Sequence, residues 1–222
     1  MDQEAGVPVS KLRVLSFGLT IDAYGAGPSQ DIKNPLGLVG ESLLAWAVAT
    51  RTFRMLHGAS GGDETGIDEE FAARGFRNIG AWIIGRNMFS PVRGPWPNFD
   101  WKGWWGDNPP FHCDVFVVTH FFRPPLQMEG GTTFYFETEG IESTLQKAIQ
   151  AAEGKDVRVG GGVSLVWQYL MAGLVDEIHL AIVPTLIGTG ESLLSGIDLV
   201  KMGYRCVEYV PSPKVVHMVL RR

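Results

Sequence analysis

The sequence predicts an α/β domain of three layers (α/β/α), with a mixed, mostly parallel central sheet that ends in an antiparallel C-terminal hairpin. Three observations predict it. Short β-branched runs alternate with segments of helical spacing through the second half of the chain. Two of those runs pass directly through glycine into a helix. The tail from Tyr204 to Leu220 holds two apolar runs about Pro211-Ser212-Pro213, the pattern of a final hairpin.

Taken in order, residues 1–10 read as a loose N-terminal segment and residues 11–222 as a single domain. Leu12 to Ile21 is a first buried strand, and Asp22 to Gly40 is a loop rich in Gly, Pro, Asn and Asp. Glu41 to His57 contains no Pro or Gly and predicts one helix, with Leu43, Leu44, Ala47 and Val48 as its apolar stripe. A second, short helix has Asp68 near its start and turns Phe71 and Ala72 inward. Strands follow at Ala81 to Ile84, Asp114 to Thr119, Thr132 to Phe136, Val157 to Val159 and Glu177 to Pro184. Between them lie helices from Ile141 to Glu153, ended by Gly154, and from Val163 to Ala172. Gly173 supplies the left-handed cap of the latter and Leu174 its apolar partner.

Composition narrows the function. Hydrophobic residues are 45% and charged residues 19% of the 222, enough to bury a sizeable core. A net charge of −5, without clustered Lys and Arg, disfavours nucleic acid as a partner. No basic and apolar leader is visible and no apolar run is long enough for a bilayer, so the expectation is a cytoplasmic protein with no membrane partner. Two cysteines, Cys113 and Cys206, make no disulfide framework. The five histidines are scattered, with no HExxH, so no metal site is expected and each reads as a surface or packing residue, His120 excepted.

Ser90 to His112 does not fit a compact connection. It carries Trp96, Trp101, Trp104 and Trp105, four of the seven tryptophans, among several prolines. Its aromatic content predicts an ordered segment: a lid on its own core, a substrate wall or a dimer contact. A homodimer is expected, burying this loop and the strand from Glu177 to Pro184.

The chemistry is sought at the two strand-to-helix junctions, Ile84-Gly85-Arg86 and Val159-Gly160-Gly161-Gly162-Val163. Glycine lets a ligand approach the backbone, and the helix start that follows favours an anion. Two such junctions on one sheet suit two parts of a dinucleotide, although strand–glycine–helix is also ordinary packing. The GxGxxG fingerprint of a standard dinucleotide fold is absent.

These segments, with Val117 to His120, Val157 to Leu170 and Gly173 to Leu194 (GLVDEIHLAIVPTLIGTGESLL), resemble dihydrofolate-reductase-like enzymes. The chain is most similar to the reductase domain of bifunctional riboflavin-biosynthesis deaminase/reductases and their stand-alone relatives. The resemblance implies NADPH as cofactor and a small heterocyclic substrate, such as 5-amino-6-(5-phosphoribosylamino)uracil, reduced at a C=N or carbonyl carbon. It places Gly160, Gly161, Gly162, Val163 and Ser164 at the pyrophosphate, and Gly85, Arg86, Asn87 and Met88 at the cofactor phosphates. Thr119 and His120 fall where such enzymes hold the 2′-phosphate, with Arg123 close by. Asp22 matches a Ser-x-Asp-Gly motif near the nicotinamide, read here as Thr20-Ile21-Asp22-Ala23; Ala replaces the glycine, and Gly25 is expected to supply the turn. Asp22 and Glu137 are the candidate proton donors.

Other readings are set against this one. Reduction of dihydrofolate or another pterin is an alternative on the same fold, but the long helix carries an acid only at Glu41. A non-catalytic nucleotide-binding or dimerisation protein of this fold is a second alternative, and a flavin in place of nicotinamide a third. Gly58-Ala59-Ser60-Gly61-Gly62 matches GxSxG, yet it follows a helical segment and not the strand a nucleophile elbow needs. No deaminase zinc motif occurs.

Overall fold

A computed structural model describes residues 10–61 and 65–222. Residues 1–9 of the expected loose start, and Gly62 of the GxSxG segment, lie outside the described residues. The predicted class is the observed one: a nine-stranded sheet, mostly parallel, with an antiparallel hairpin at one edge.

The strands are β1 (Leu12–Thr20), β2 (Tyr24–Ala26), β3 (Ile79–Gly85), β4 (Asp114–Val118), β5 (Leu126–Gln127) and β6 (Thr133–Glu137). They continue with β7 (Asp156–Gly161), β8 (Glu177–Val183), β9 (Glu191–Ser192), β10 (Arg205–Pro211) and β11 (Val216–Arg221). The main sheet runs β10-β11-β8-β1-β7-β3-β4-β6-β5; β2 and β9 form a separate two-stranded ribbon. The helices are α1 (Gly40–Val48), α2 (Arg51–Leu56), α3 (Ile67–Arg74), α4 (Arg86–Phe89), α5 (Ile141–Ala151) and α6 (Val163–Met171).

Period-two alternation sorts the side chains onto two faces. Val14, Ala81, Ile83, Val157, Val159, Ile178 and Leu180 share one core with Leu145 and Ala148 of α5 and Val166, Tyr169 and Leu170 of α6. The opposite face is covered in two pieces. Leu43 and Trp46 of α1 and Phe71 and Ala72 of α3 pack on Ala181, Val183 and Val219. Beyond them, Trp96, Trp101 and Trp105 pack with Phe89 and Phe111 on Trp82, Ile84, Val115, Val117 and Phe134. The Trp-rich segment therefore takes the place of a helix layer over this half of the sheet, the first of the roles expected for it.

Three expectations are corrected. The helix expected from Glu41 to His57 is two helices, because the Thr50 hydroxyl donates to the Ala47 carbonyl (2.5 Å) and accepts the Phe53 amide (3.2 Å). Such side-chain bonds compete with the helical ladder and cap a new one. Strand β8 is flanked by β11 and β1, so it has no edge to offer a second copy. Gly25 does not make the turn after β1: Ala23 does, at φ +67°. Gly25 instead permits close packing, since a Cβ there would stand 2.8 Å from the Phe17 ring and 2.9 Å from Val163.

Candidate active site

Where the two coverings of the sheet meet, they leave a cavity of about 380 Å³. Leu43, Trp46 and Ala47 of α1 and Phe53 of α2 wall one side, and Trp104, Trp105 and Phe111 the other. Trp82, Arg158 and Gly160 reach it from the central strands, and Gly25, Ala26 and Glu191 from the β2–β9 ribbon.

The two glycine junctions meet at this cavity. Strands β3 and β7 are parallel neighbours with Ile84 opposite Gly161, so both strands end at the same level. A Cβ on Gly85 would lie 3.2 Å from the Gly162 nitrogen, which fixes the two turns against each other. Gly161 has φ +140°, a conformation open mainly to glycine, and the Gly161–Gly162 peptide is cis. A Cβ on Gly162 would meet nothing within 4 Å, so open space lies before the start of α6. The Leu165 and Val166 amides donate to the Gly162 carbonyl, and the amides that precede them at a helix start lack an intrahelical acceptor and favour an anion. Gly160, Gly161, Gly162 and Val163 line the cavity together with Asn87 and Met88. Ser164 is exposed on the same first turn.

Arg86 lies half-buried beside Gly85, its Cζ 3.1 Å from the centre of the Trp96 ring. Its Nη2 reaches the Gly94 carbonyl at 3.4 Å, whereas Nε and Nη1 are buried without a partner. Burial, reinforced by the charges of Arg123 and Arg93, lowers its pKa to about 10. An uncompensated guanidinium of this kind is suited to a phosphate.

Thr119 is buried at the end of β4, where its amide donates to the Glu137 carbonyl and its hydroxyl accepts the Phe121 amide. His120 beside it is exposed. Arg123 is only 2% exposed. Its Nη2 donates to the carbonyls of Phe99 (3.0 Å) and Trp101 (2.7 Å), clamping the Trp-rich segment.

The two acids named as proton donors do not line the cavity. Asp22 accepts from the Thr20 hydroxyl (2.6 Å) and from the amides of Ile187 and Gly188, and these bonds hold its pKa below the usual value. Glu137 pairs with Lys147 at 2.5 Å. The carboxylate that does line it is Glu191, bonded to Gln30 at 2.7 Å. Of the other basic residues, Arg51 and Arg54 are exposed on α2, and Arg93 Nη2 donates to Gln30 Oε1 at 3.3 Å. Among the described residues no group of His, Cys, Asp and Glu is arranged to hold a metal, and no helix is long and apolar enough to cross a membrane.

Residues 14–218 match the family model of the RibD C-terminal domain. The chain belongs to the RibD C-terminal domain family. Solved structures similar to this RibD C-terminal domain include a putative riboflavin biosynthesis protein from Shewanella sp. PV-4, at 17% identity and TM-score 0.53, covering 96% of this chain and 98% of that one. A second is the diaminohydroxyphosphoribosylaminopyrimidine deaminase/5-amino-6-(5-phosphoribosylamino)uracil reductase of Thermotoga maritima. It has 13% identity and TM-score 0.50, with 96% of this chain covered but 56% of that one. The chain thus spans little more than half of that bifunctional enzyme. A search of curated protein sequences returns no match. Neither acid expected to deliver a proton lines the cavity; Glu191, Arg158 and Ser16 do, together with the glycines and several tryptophans.

Proposed function

We propose that this RibD C-terminal domain is an NADPH-dependent reductase of a small heterocyclic substrate. The observation that carries the reading is the contact of Gly85 with the Gly161–Gly162 turn at the edge of the cavity, beside a guanidinium with two unpartnered nitrogens. A dinucleotide needs close backbone approach at its pyrophosphate and cationic donors at its phosphates, and the residues present fit both needs. Gly160 to Ser164 would hold the pyrophosphate, and Gly85 to Met88 with Arg86 the remaining phosphate; Thr119 and His120 flank the same strand ends. NADPH, when bound, supplies a hydride to an electrophilic C=N or carbonyl carbon.

The chain's own contribution is orientation and exclusion of water. The tryptophan and phenylalanine walls of the cavity suit a flat heterocycle, and burying it positions the reacting carbon. The reductase activity named for the Thermotoga enzyme supports this substrate class. Glu191 is the carboxylate placed to face it. The exposed edge strand β10, with Val207 and Tyr209 outward, is the surface we assign to pairing with a second copy in place of β8.

Calorimetric titration of the purified chain with NADPH and with NADH tests the reading. Binding of NADPH roughly tenfold tighter than NADH, lost in Gly161→Val, is the expected result. Absence of binding by either nucleotide to the folded protein overturns it.

A further inference from the structure

We propose that the floor of the cavity is a seat for a negatively charged oxygen on a flat, unsaturated ligand, formed by the Arg158 guanidinium and the Ser16 hydroxyl. The inference rests on reading this cavity as the substrate site and adds a charge requirement to it.

Strand β7 lies between β1 and β3 in the middle of the sheet, where an arginine is costly to bury. Arg158 is nonetheless only 7% exposed. Its Nη1 donates to the Gly75 carbonyl (2.6 Å) and its Nη2 to the Leu15 carbonyl (2.8 Å), and it lies over the Trp82 and Phe76 rings at 4.1 and 4.9 Å. None of these partners carries a charge. Among the described residues no carboxylate forms an ion pair with it. The acids near Arg13, Asp156 and Glu177, are taken up by Arg13 itself, and Glu177 also by Arg221. A buried cation left without a counter-ion leaves binding energy for a ligand that brings one.

Each of the two side chains has an orphaned polar atom, and the two side chains lie close together. Arg158 Nε and Ser16 Oγ are both buried without a hydrogen-bond partner. A Cβ built on Gly75 would stand 2.7 Å from Ser16 Oγ and 3.0 Å from Arg158 Nη1, so the two side chains border one small space that glycine leaves clear. Both residues line the 380 Å³ cavity. Ser16 sits at φ +54°, an unfavourable region for a non-glycine residue, where the chain is held by its amide donating to His179 Nδ1 at 3.1 Å. The register of β1 on β8 shifts at this point, between Val14 and Phe17. The bulge therefore presents the serine hydroxyl beside the guanidinium. Trp46, Trp82, Trp104, Trp105, Phe76 and Phe111 surround the floor and select a planar body for the anion. A carboxylate and an ionised ring imide share this chemistry.

The test uses the full chain without nucleotide and two probes of one shape, 2-naphthoate and 2-naphthamide, titrated by calorimetry. The acid is expected to bind roughly tenfold or more tightly than the amide, as a charge-assisted bond in a buried site requires. Arg158→Gln should erase the preference. Because that variant also leaves two buried carbonyls short of a donor, Ser16→Ala is the second arm. It keeps the backbone bond to His179 and should weaken naphthoate several-fold while leaving naphthamide unchanged. Equal affinity for the two probes, binding of neither, or a preference that survives in both folded variants overturns the proposal. NADPH binding without acid preference overturns only this seat; acid preference without NADPH binding supports it and overturns the reductase reading.

Discussion

His179 Nε2 lies 3.0 Å from His217 Nδ1, and the pair fixes its own tautomers. The Ser16 amide donates to His179 Nδ1, so the His179 proton is on Nε2 and is donated to His217 Nδ1. His217 then carries its proton on Nε2 and donates it to Asp68 Oδ1 at 2.8 Å. Both rings are buried, stacked on Phe71 and edge-on to Trp46. The chain of bonds ties α3 to β11, β8 and β1 behind the cavity floor.

Stability should therefore fall in mild acid. Burial first, then the neighbouring charges of His217, Arg158 and Arg74, holds the His179 pKa well below the usual 6.5; burial also lowers that of His217 against the opposing pull of Asp68. A protonated His179 would turn Nδ1 into a donor facing the Ser16 amide. The unfolded chain takes up protons near 6.5 while the folded one resists, so stability rises with pH across this range and drops below it. The expected slope is up to about 1.4 kcal/mol per pH unit for each proton. Urea denaturation at pH values from 7.5 to 5 measures it. His179→Asn keeps an acceptor for Ser16 and should flatten the slope by one proton; an unchanged slope would show that His179 is not responsible.

Ala23 takes a left-handed turn that the related motif assigns to glycine. Its φ of +67° puts Cβ against the backbone, and the turn persists because Asp22 ties Thr20 to Ile187 and Gly188 on either side of it. Ala23→Gly should stabilise the protein by about 1 kcal/mol, the relieved strain exceeding the entropy that glycine adds to the unfolded chain. A thermal or urea midpoint at or below that of the unsubstituted protein counts against the strain.

Arg123 should hold the Trp-rich segment in place. Replacing it by Met leaves the Phe99 and Trp101 carbonyls without their donor and removes a cation from among Phe89, Trp96, Phe99 and Phe136. The expected cost is about 1–3 kcal/mol, with new protease cleavage between residues 90 and 112. Cleavage confined to the sites cut in the unsubstituted chain would show that the clamp is dispensable.

Most of the sheet was legible because its strands are short β-branched runs between turn residues, and each strand expected is found within a few residues of its place; the two-residue edge strand β5 is too short to leave such a pattern. The glycine junctions were legible for the same reason: a strand ending in glycine before a helix is a local pattern. The break at Thr50 was not, since nothing in its neighbours distinguishes a capping threonine from one inside a helix. His179, His217 and Asp68 are distant in sequence; only the pairing of β8 with β11, which sets His179 opposite Val219 and His217 opposite Ala181, brings the rings together. Arg158 did leave a signal. A single arginine between Val157 and Val159, in the middle of a strand that continues into the glycines, marks a buried cation whose purpose the sequence alone does not disclose.

Arg86 should decide between the two nicotinamide nucleotides. Its guanidinium is held on the Trp96 ring with Nε and Nη1 unpartnered, and burial beside Arg123 and Arg93 keeps it short of negative charge. NADPH differs from NADH by one phosphate, so a residue bound to that group contributes to one affinity and not the other. Arg86→Leu removes the guanidinium and should weaken NADPH roughly tenfold or more while changing NADH little. Added salt should erode the NADPH affinity of the unsubstituted protein and have less effect on that of the variant, because the lost term is the screened one. Equal losses for both nucleotides would assign Arg86 to the shared pyrophosphate, and the preference for NADPH would then have to come from Thr119 and His120.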